Sequence, residues 1–351
     1  MRFGSVPVAE AAGLISAHTV RRDGITLRKG AVIDRDVAGD LARCGLAEIV
    51  AAVLEPGDVG ENAAAARLAS HLRGPNLRAE APFTGRCNLF AGTAGVLTLD
   101  PARIDAVNAV DEAVTVATLP RFKPVVEGEM VATVKIIPYA VPGAVLDRAC
   151  RAAPEGGVLA VAPYRRRRVG VVSTRLPSLK EATIDKTHRV LAERLAPAGA
   201  EIVADIRVAH ADAAVAAALA EATDGVGADL VVVFGASAIA DRRDVIPAGI
   251  EAAGGRVAHL GMPVDPGNLL LVGSRGDVPV IGAPGCARSP KENGFDWILH
   301  RLLADLPVTR ADIVALGVGG LLMEIISRPQ PRAGGETAEG DPDDEVPDAD
   351  A

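Results

Sequence analysis

The chain has 351 residues, 49 % hydrophobic and 23 % charged, the composition of a folded protein with room for two or three cores. Aromatic residues make up only 3 %, which argues against stacking on bases and so against a nucleic-acid partner. The formal net charge is −8, yet eight acidic residues and no Lys or Arg lie between Glu336 and Ala351; the remaining 37 acidic residues equal the 37 Lys and Arg, leaving no bulk field toward nucleic acid or membrane.

The elements fall in a readable order. Residues 1–75 read as a small mixed α/β unit. It has a short helix near Pro7–Gly13, a turn between strands at Leu27–Ile33, a helix over Asp34–Cys44 and an Ala-rich helix over Asp58–Leu72. Asp34 can cap the first of these helices, with Val37, Leu41 and Ala42 on one face. Residues 76–165 read as a β-rich region and linker, punctuated by Gly92, Gly95, Asp100-Pro101, Pro120 and Pro124. A strong strand is expected at Met130–Ile137, then a short helix at Val145–Ala152.

Near Ala162 the pattern changes. Arg165–Arg168, read as a solvated linker, gives way to a buried-type strand at Val169–Ser173. Strands are expected at Ile202-Val203, Asp229–Phe234, Arg256–Leu260, Leu269–Val272 and Val278–Ile281. Helices are expected at Ala182–Leu195, Ala211–Ala222 and Ile246–Ala253, with a last one over Pro290–Leu303 carrying Pro in its first turn. Strands alternating with helices predict an α/β domain over 166–310 with a mostly parallel sheet, followed by an extension at 311–330. Residues 331–351, rich in Gly, Pro and acid, are expected to be disordered.

The four cysteines, Cys44, Cys87, Cys150 and Cys286, are widely spaced with no Cys-x-x-Cys pair, so neither a disulfide framework nor a zinc site is expected. Met1–Glu10 lacks the basic-then-apolar pattern of a signal peptide. No apolar run approaches the roughly 20 residues that span a bilayer. A cytoplasmic protein with no membrane partner is the expectation.

Ligands in parallel α/β sheets sit beyond the carboxyl ends of the strands. Three loops there are candidates for holding an anionic, phosphate-bearing small molecule. The first is Gly235-Ala236-Ser237-Ala238, leading through Asp241, Arg242, Arg243 and Asp244 into a helix. Small residues let a ligand approach the backbone, and free amides at a helix start favour phosphate. A plain turn capped by Asp244 remains the alternative. The second is Pro284-Gly285-Cys286-Ala287-Arg288-Ser289. No His neighbours Cys286 in sequence, so a packing thiol is expected rather than a nucleophile. The third is Met262–Asn268, whose two prolines and Gly267 fix a cleft wall. Asp185, after the first strand, is a helix cap or a site carboxylate.

These loops together resemble the molybdopterin-binding domain shared by the MogA, MoaB and MoeA cofactor-biosynthesis proteins. That family follows its central strand with Gly-Gly-Thr-Gly and then Arg-Asp-x-Thr-Pro, to which Gly235–Ala238 and Arg243-Asp244-Val245-Ile246-Pro247 are similar. Pro266-Gly267-Asn268 resembles its Pro-Gly-Lys-Pro element, and Gly282-Ala283-Pro284-Gly285-Cys286-Ala287 its Gly-Leu-Pro-Gly-Asn-Pro element. Asp185 is similar to the family's early Asp. The chain departs at Ala236, Ser237, Ala238 and Cys286, and at Ser173-Thr174-Arg175, where an acidic residue of the MoeA pattern is missing.

The resemblance implies a three-layer α/β/α fold preceded by a mixed, β-rich region like that of a MoeA-like subgroup. It also implies a protein of molybdenum cofactor biosynthesis or maturation that binds molybdopterin or its nucleotide form. Pterin binding falls to Gly235, Ala236, Ser237, Ala238, Pro266, Gly267, Pro284, Gly285, Cys286, Arg288 and Ser289. Asp185, Asp244 and Asp241 become the catalytic candidates, the first two as Mg²⁺ ligands. ATP or CTP, another cofactor-biosynthesis protein or a molybdoenzyme, and a homo-oligomer are the implied partners. If active, the protein would be a molybdenumtransferase or adenylyltransferase. A non-catalytic carrier and a CinA-like nucleotide pyrophosphatase are the rival readings.

Overall fold

The computed structural model describes residues 1–153 and 156–322. The acidic tail, expected to be disordered, lies outside them. The chain divides into two compact units, Met1–Pro163 and Tyr164–Ala351. No helix among the described residues is long and apolar enough to cross a membrane.

The first unit is β-rich. Asp34 caps the helix Arg35–Arg43 by accepting from the Val37 amide, as expected, but the buried face is Ala38 and Leu41, with Ala42 exposed. Asp58–Gly60 forms a strand rather than the start of a helix, and the helix runs over Glu61–Leu72. Asp100-Pro101 opens a helix, Pro101–Asn108, because Asp100 accepts from the Ala102 amide and Pro sits in the first turn. The expected strand is present as Met130–Ile136, in the middle of a four-stranded sheet.

The second unit carries the candidate loops. Its strands are β1 (Arg168–Arg175), β2 (Glu201–Ala209), β3 (Leu230–Phe234), β4 (Arg256–Leu260), β5 (Leu271–Arg275) and β6 (Val278–Ala283). Its longer helices are α1 (Glu181–Leu195), α2 (Asp212–Ala220), α3 (Val245–Ala252) and α4 (Gly294–Leu303). The sheet order is β2-β1-β3-β6-β5-β4. β2, β1, β3 and β6 run parallel, while β5 and β4 join antiparallel.

All five residues of β3 are buried, as an apolar run covered on both faces requires. Successive side chains of β1 point to opposite faces. Val172 joins the cluster formed with Val215 and Leu219 of α2 and Ile246 and Ile250 of α3. Ser173 reaches α1 on the other face. Ile184, Thr187, Leu191 and Leu195 form the buried stripe of α1 at helical spacing. The result is the three-layer α/β/α arrangement, with the sheet mostly parallel.

Two local readings need correction. Arg165–Arg168 is more than a solvated linker: Arg165, Arg167 and Arg168 are exposed, yet Arg166 donates to the Asp229 carbonyl and to Asp305, and Arg168 to the Val226 and Gly227 carbonyls. The Asp229 carboxylate accepts the amides of Arg167 and Arg168. The run clamps the start of β1. Pro290 also lies outside the last helix. Asn293 and Asp296 form a reciprocal capping box that starts α4 at Gly294, a stronger boundary signal than Pro alone.

Candidate functional site

The parallel strands end together. The residues after β1, β2, β3 and β6 therefore share one edge of the sheet. β5 runs the other way, and its first residue, Leu271, pairs with Gly282 near the end of β6. The Met262–Asn268 segment, which precedes β5, is thereby brought to that same edge. Topology thus assembles all three candidate loops.

Hydrogen bonds tie them into one wall. Arg288 lies in the short 3₁₀ turn Gly285–Arg288 after β6. Its Nη2 donates to the Gly235 carbonyl at 2.8 Å and its Nη1 to Thr187 Oγ1 on α1 at 3.1 Å. The guanidinium lies 5.6 Å from the ring centroid of Phe234. Gly294 donates its amide to the Pro266 carbonyl at 2.9 Å, and Asn293 Nδ2 donates to the Cys286 carbonyl at 3.1 Å. Gly267 has φ 131°, and a Cβ there would meet the Gly294 backbone at 2.9 Å, so this close approach requires glycine.

The Arg288 turn is braced from behind by Arg194 of α1. Its guanidinium donates to Asp296 at 2.5 Å, to the Ala287 carbonyl at 3.0 Å and to the Ser289 carbonyl at 2.6 Å. Both side chains of the Arg194–Asp296 pair are nearly buried. The loop after β3 is braced from the opposite face. Thr174 Oγ1, fully buried at the end of β1, accepts the Ala236 amide at 2.7 Å. That leaves the Thr174 hydroxyl proton for His210 Nδ1, 2.9 Å away. Gly235 admits no side chain, since a Cβ would lie 2.5 Å from the Ser237 carbonyl oxygen.

Charge is distributed unevenly over this edge. Arg288 is half-buried, burial lowers its pKa, and no carboxylate pairs with it among the described residues. Its partners are neutral oxygens. Beside it, Arg207 of β2 gathers Glu181, Asp185 and Asp205 at 2.5, 2.7 and 2.8 Å. His188 of α1 stands between the two regions. Its Nδ1 is 3.3 Å from Asp205 Oδ2 and its Nε2 is 3.3 Å from Ser173 Oγ. The atom order is that of a Ser-His-Asp hydrolase. Ser173, however, is only 2 % exposed, so its hydroxyl is out of reach of a substrate carbonyl. Burial lowers the His188 pKa, with Asp205 opposing.

The expected carboxylates are each engaged within the protein. Asp185 bonds to Arg207. Asp244 caps α3, accepting the Val245 amide at 2.8 Å and the Ala240 amide at 3.2 Å. The alternative reading of a capped turn therefore describes its local role. Asp241 pairs with Arg243 in solvent. Among the described residues no group of three or more His, Cys, Asp or Glu side chains is placed to hold a metal ion. Mg²⁺ needs only one or two carboxylates beside water and phosphate oxygens, and Asp185 and Asp244, each held by protein partners, are the residues that would supply them.

Ser237 and Ala238 are both exposed at the tip of the loop, and Ile239 after them is buried. Cys286 packs as a thiol: burial pushes it up to about 11, and Sγ lies 3.7 Å from Asn293 Oδ1. Thr174, Thr187, His188, Arg194 and His210 are not singled out by spacing. A signal exists for His188, three residues after Asp185 on one helix.

Residues 169–305 match the family model described as a probable molybdopterin binding domain. No curated protein sequence matches the chain. Among solved structures, a molybdopterin biosynthesis MoeA protein from Pyrococcus horikosii is 16 % identical, covering 87 % of this chain and 75 % of its own, with a TM-score of 0.30. The molybdopterin biosynthesis enzyme MoaB from Thermus thermophilus is 18 % identical, covering 40 % of this chain and 98 % of its own, with a TM-score of 0.27. On the family-model match, residues 169–305 of this chain resemble the molybdopterin-binding family.

Proposed function

We propose that this domain binds molybdopterin by its phosphate at the carboxyl edge of the sheet, as a step in molybdenum cofactor biosynthesis. The observation that carries the reading is Arg288: a half-buried guanidinium whose hydrogen-bond acceptors are a carbonyl and a hydroxyl, with no countercharge. A half-buried cation without a countercharge is costly, and a phosphate dianion supplies the missing charge with charge-assisted hydrogen bonds. The Gly235–Ser237 backbone, tied to Thr174 through the Ala236 amide, supports the reading as a second wall.

The carrier form of this function is favoured over a transferase. Each carboxylate proposed for catalysis is already engaged: Asp185 by Arg207, Asp241 by Arg243 and Asp244 by backbone amides. No step through Mg²⁺ is part of the proposal. Calorimetric titration of the full chain with molybdopterin, alone and with MgATP or MgCTP, tests it. Tight binding that the nucleotides leave unchanged supports a carrier. Turnover of either nucleotide restores the transferase. No pterin binding removes the assignment, and hydrolysis of a dinucleotide panel would put the pyrophosphatase in its place.

A further inference from the structure

We propose that His188 supplies a second positive charge beside the Arg288 anion site, taking up a proton when a phosphate-class anion settles there. The inference rests on the binding reading above and extends it to how the site sets its charge.

Four placements carry it. Thr187, next to His188 on α1, accepts from Arg288 at 3.1 Å. Ser173, which meets His188 Nε2 at 3.3 Å, lies in register with Phe234, the residue whose ring faces Arg288. Asp205 stands 3.3 Å from the other ring nitrogen, ready to stabilise an imidazolium. His188 itself is partly exposed at the sheet edge, whereas Ser173 is not.

The charged groups around the ring set the sign. Burial and the positive charges of Arg207 on β2 and Arg288 on the turn disfavour the imidazolium; Asp205 on β2 and Asp185 on α1 favour it. An anion on Arg288 cancels one opposing charge and adds an attractive one. The ring then holds its second proton more firmly, and by linkage a protonated ring holds the anion more firmly. When Nε2 is protonated it donates to Ser173 Oγ, which frees the serine hydroxyl proton from the ring. Neutral His188 therefore marks the empty site and charged His188 the loaded one. The site gains charge for a dianion without a permanent second cation buried beside Arg288.

Inorganic sulfate is the probe, because it remains a dianion across the pH range in which histidine titrates. Sulfate is titrated into the full chain from about pH 8 to about pH 5.5, in buffers of differing ionisation heat, and affinity is expected to rise by up to tenfold per pH unit with net proton uptake. H188Q is expected to bind with the weak high-pH affinity at every pH and to take up no proton. Sulfate binding without slope or proton uptake in the natural chain, a readout that needs no variant, overturns the role of His188 and leaves the Arg288 site standing. An unchanged slope in H188Q overturns it equally. Absence of sulfate binding at every pH overturns the Arg288 site and this inference with it.

Discussion

Arg288 Nη2 donates to the carbonyl oxygen of Gly235 at 2.8 Å, so the turn after β6 grips the end of its neighbour β3. Two candidate loops, 53 residues apart in sequence, are thereby one structure. The fork geometry matters. One guanidinium reaches Thr187 and Gly235 together and retains N–H groups for a ligand.

R288K keeps the charge and loses the fork. A hydrogen bond to a charged group is worth roughly 1.5–3 kcal/mol, so anion affinity is expected to fall about ten- to a hundredfold. Calorimetry with inorganic pyrophosphate measures this. Equal affinity in R288K and the natural chain would show that point charge alone, and not the placed fork, makes the site.

Gly235→Ala places a methyl group against the Ser237 carbonyl and Ile246 Cδ1, at 2.5 and 2.8 Å. The loop must shift or the neighbours must yield, at a cost of about 1–3 kcal/mol. Loss of anion binding is expected to accompany the fall in thermal midpoint. Retained binding with a lowered midpoint would separate the loop's shape from its function.

Thr174→Val removes the acceptor of the Ala236 amide while keeping the shape of the side chain. The site is fully buried, so the amide and His210 Nδ1 both lose a partner, a loss of about 1–3 kcal/mol. Urea unfolding reads the loss. Thr174→Ser, which keeps the hydroxyl, is expected to recover most of it.

Arg194→Met strips Asp296 of its partner and frees the Ala287 and Ser289 carbonyls. Breaking so buried a pair from one side costs about 3–5 kcal/mol. The Arg288 turn loosens as well, so anion affinity falls together with stability. Hydrogen exchange over residues 284–291 is expected to rise; unaltered protection there would assign Arg194 to α4 alone.

The pH dependence of the unliganded protein follows from His188. Burial holds its pKa below the ordinary 6.5 in the folded chain. The unfolded chain therefore binds more protons as pH falls below that value. The stabilising contribution is fully present above 6.5 and is lost as pH falls toward the folded-state value. His259 is shifted the same way, burial again being the largest cause. Denaturant midpoints from about pH 8 to about pH 5 are expected to decline, less steeply in H188Q. An identical decline in that variant would mean the ring titrates alike in both states.

Sequence alone determined the alternating strands and helices of the second unit and the three loops at strand ends. Apolar runs and Gly or Pro punctuation are local signals, as β3 and Gly235 illustrate. The resemblance also named the ligand class, and residues 169–305 match that family. What the local pattern could not give was the partner of each charge. Asp185, Asp241 and Asp244 looked alike as site carboxylates, yet one meets Arg207 of β2, one Arg243 in solvent, and one caps a helix. Arg166 and Arg168 read as a solvated run and are fastened to residues 58 to 139 positions away. The convergence of Arg288, Thr187, Gly235 and His188 was equally hidden. Strand order and the reversal of β5 decide which loops share an edge, and those depend on pairings between segments far apart in the chain, whose cost and gain no short window of sequence contains.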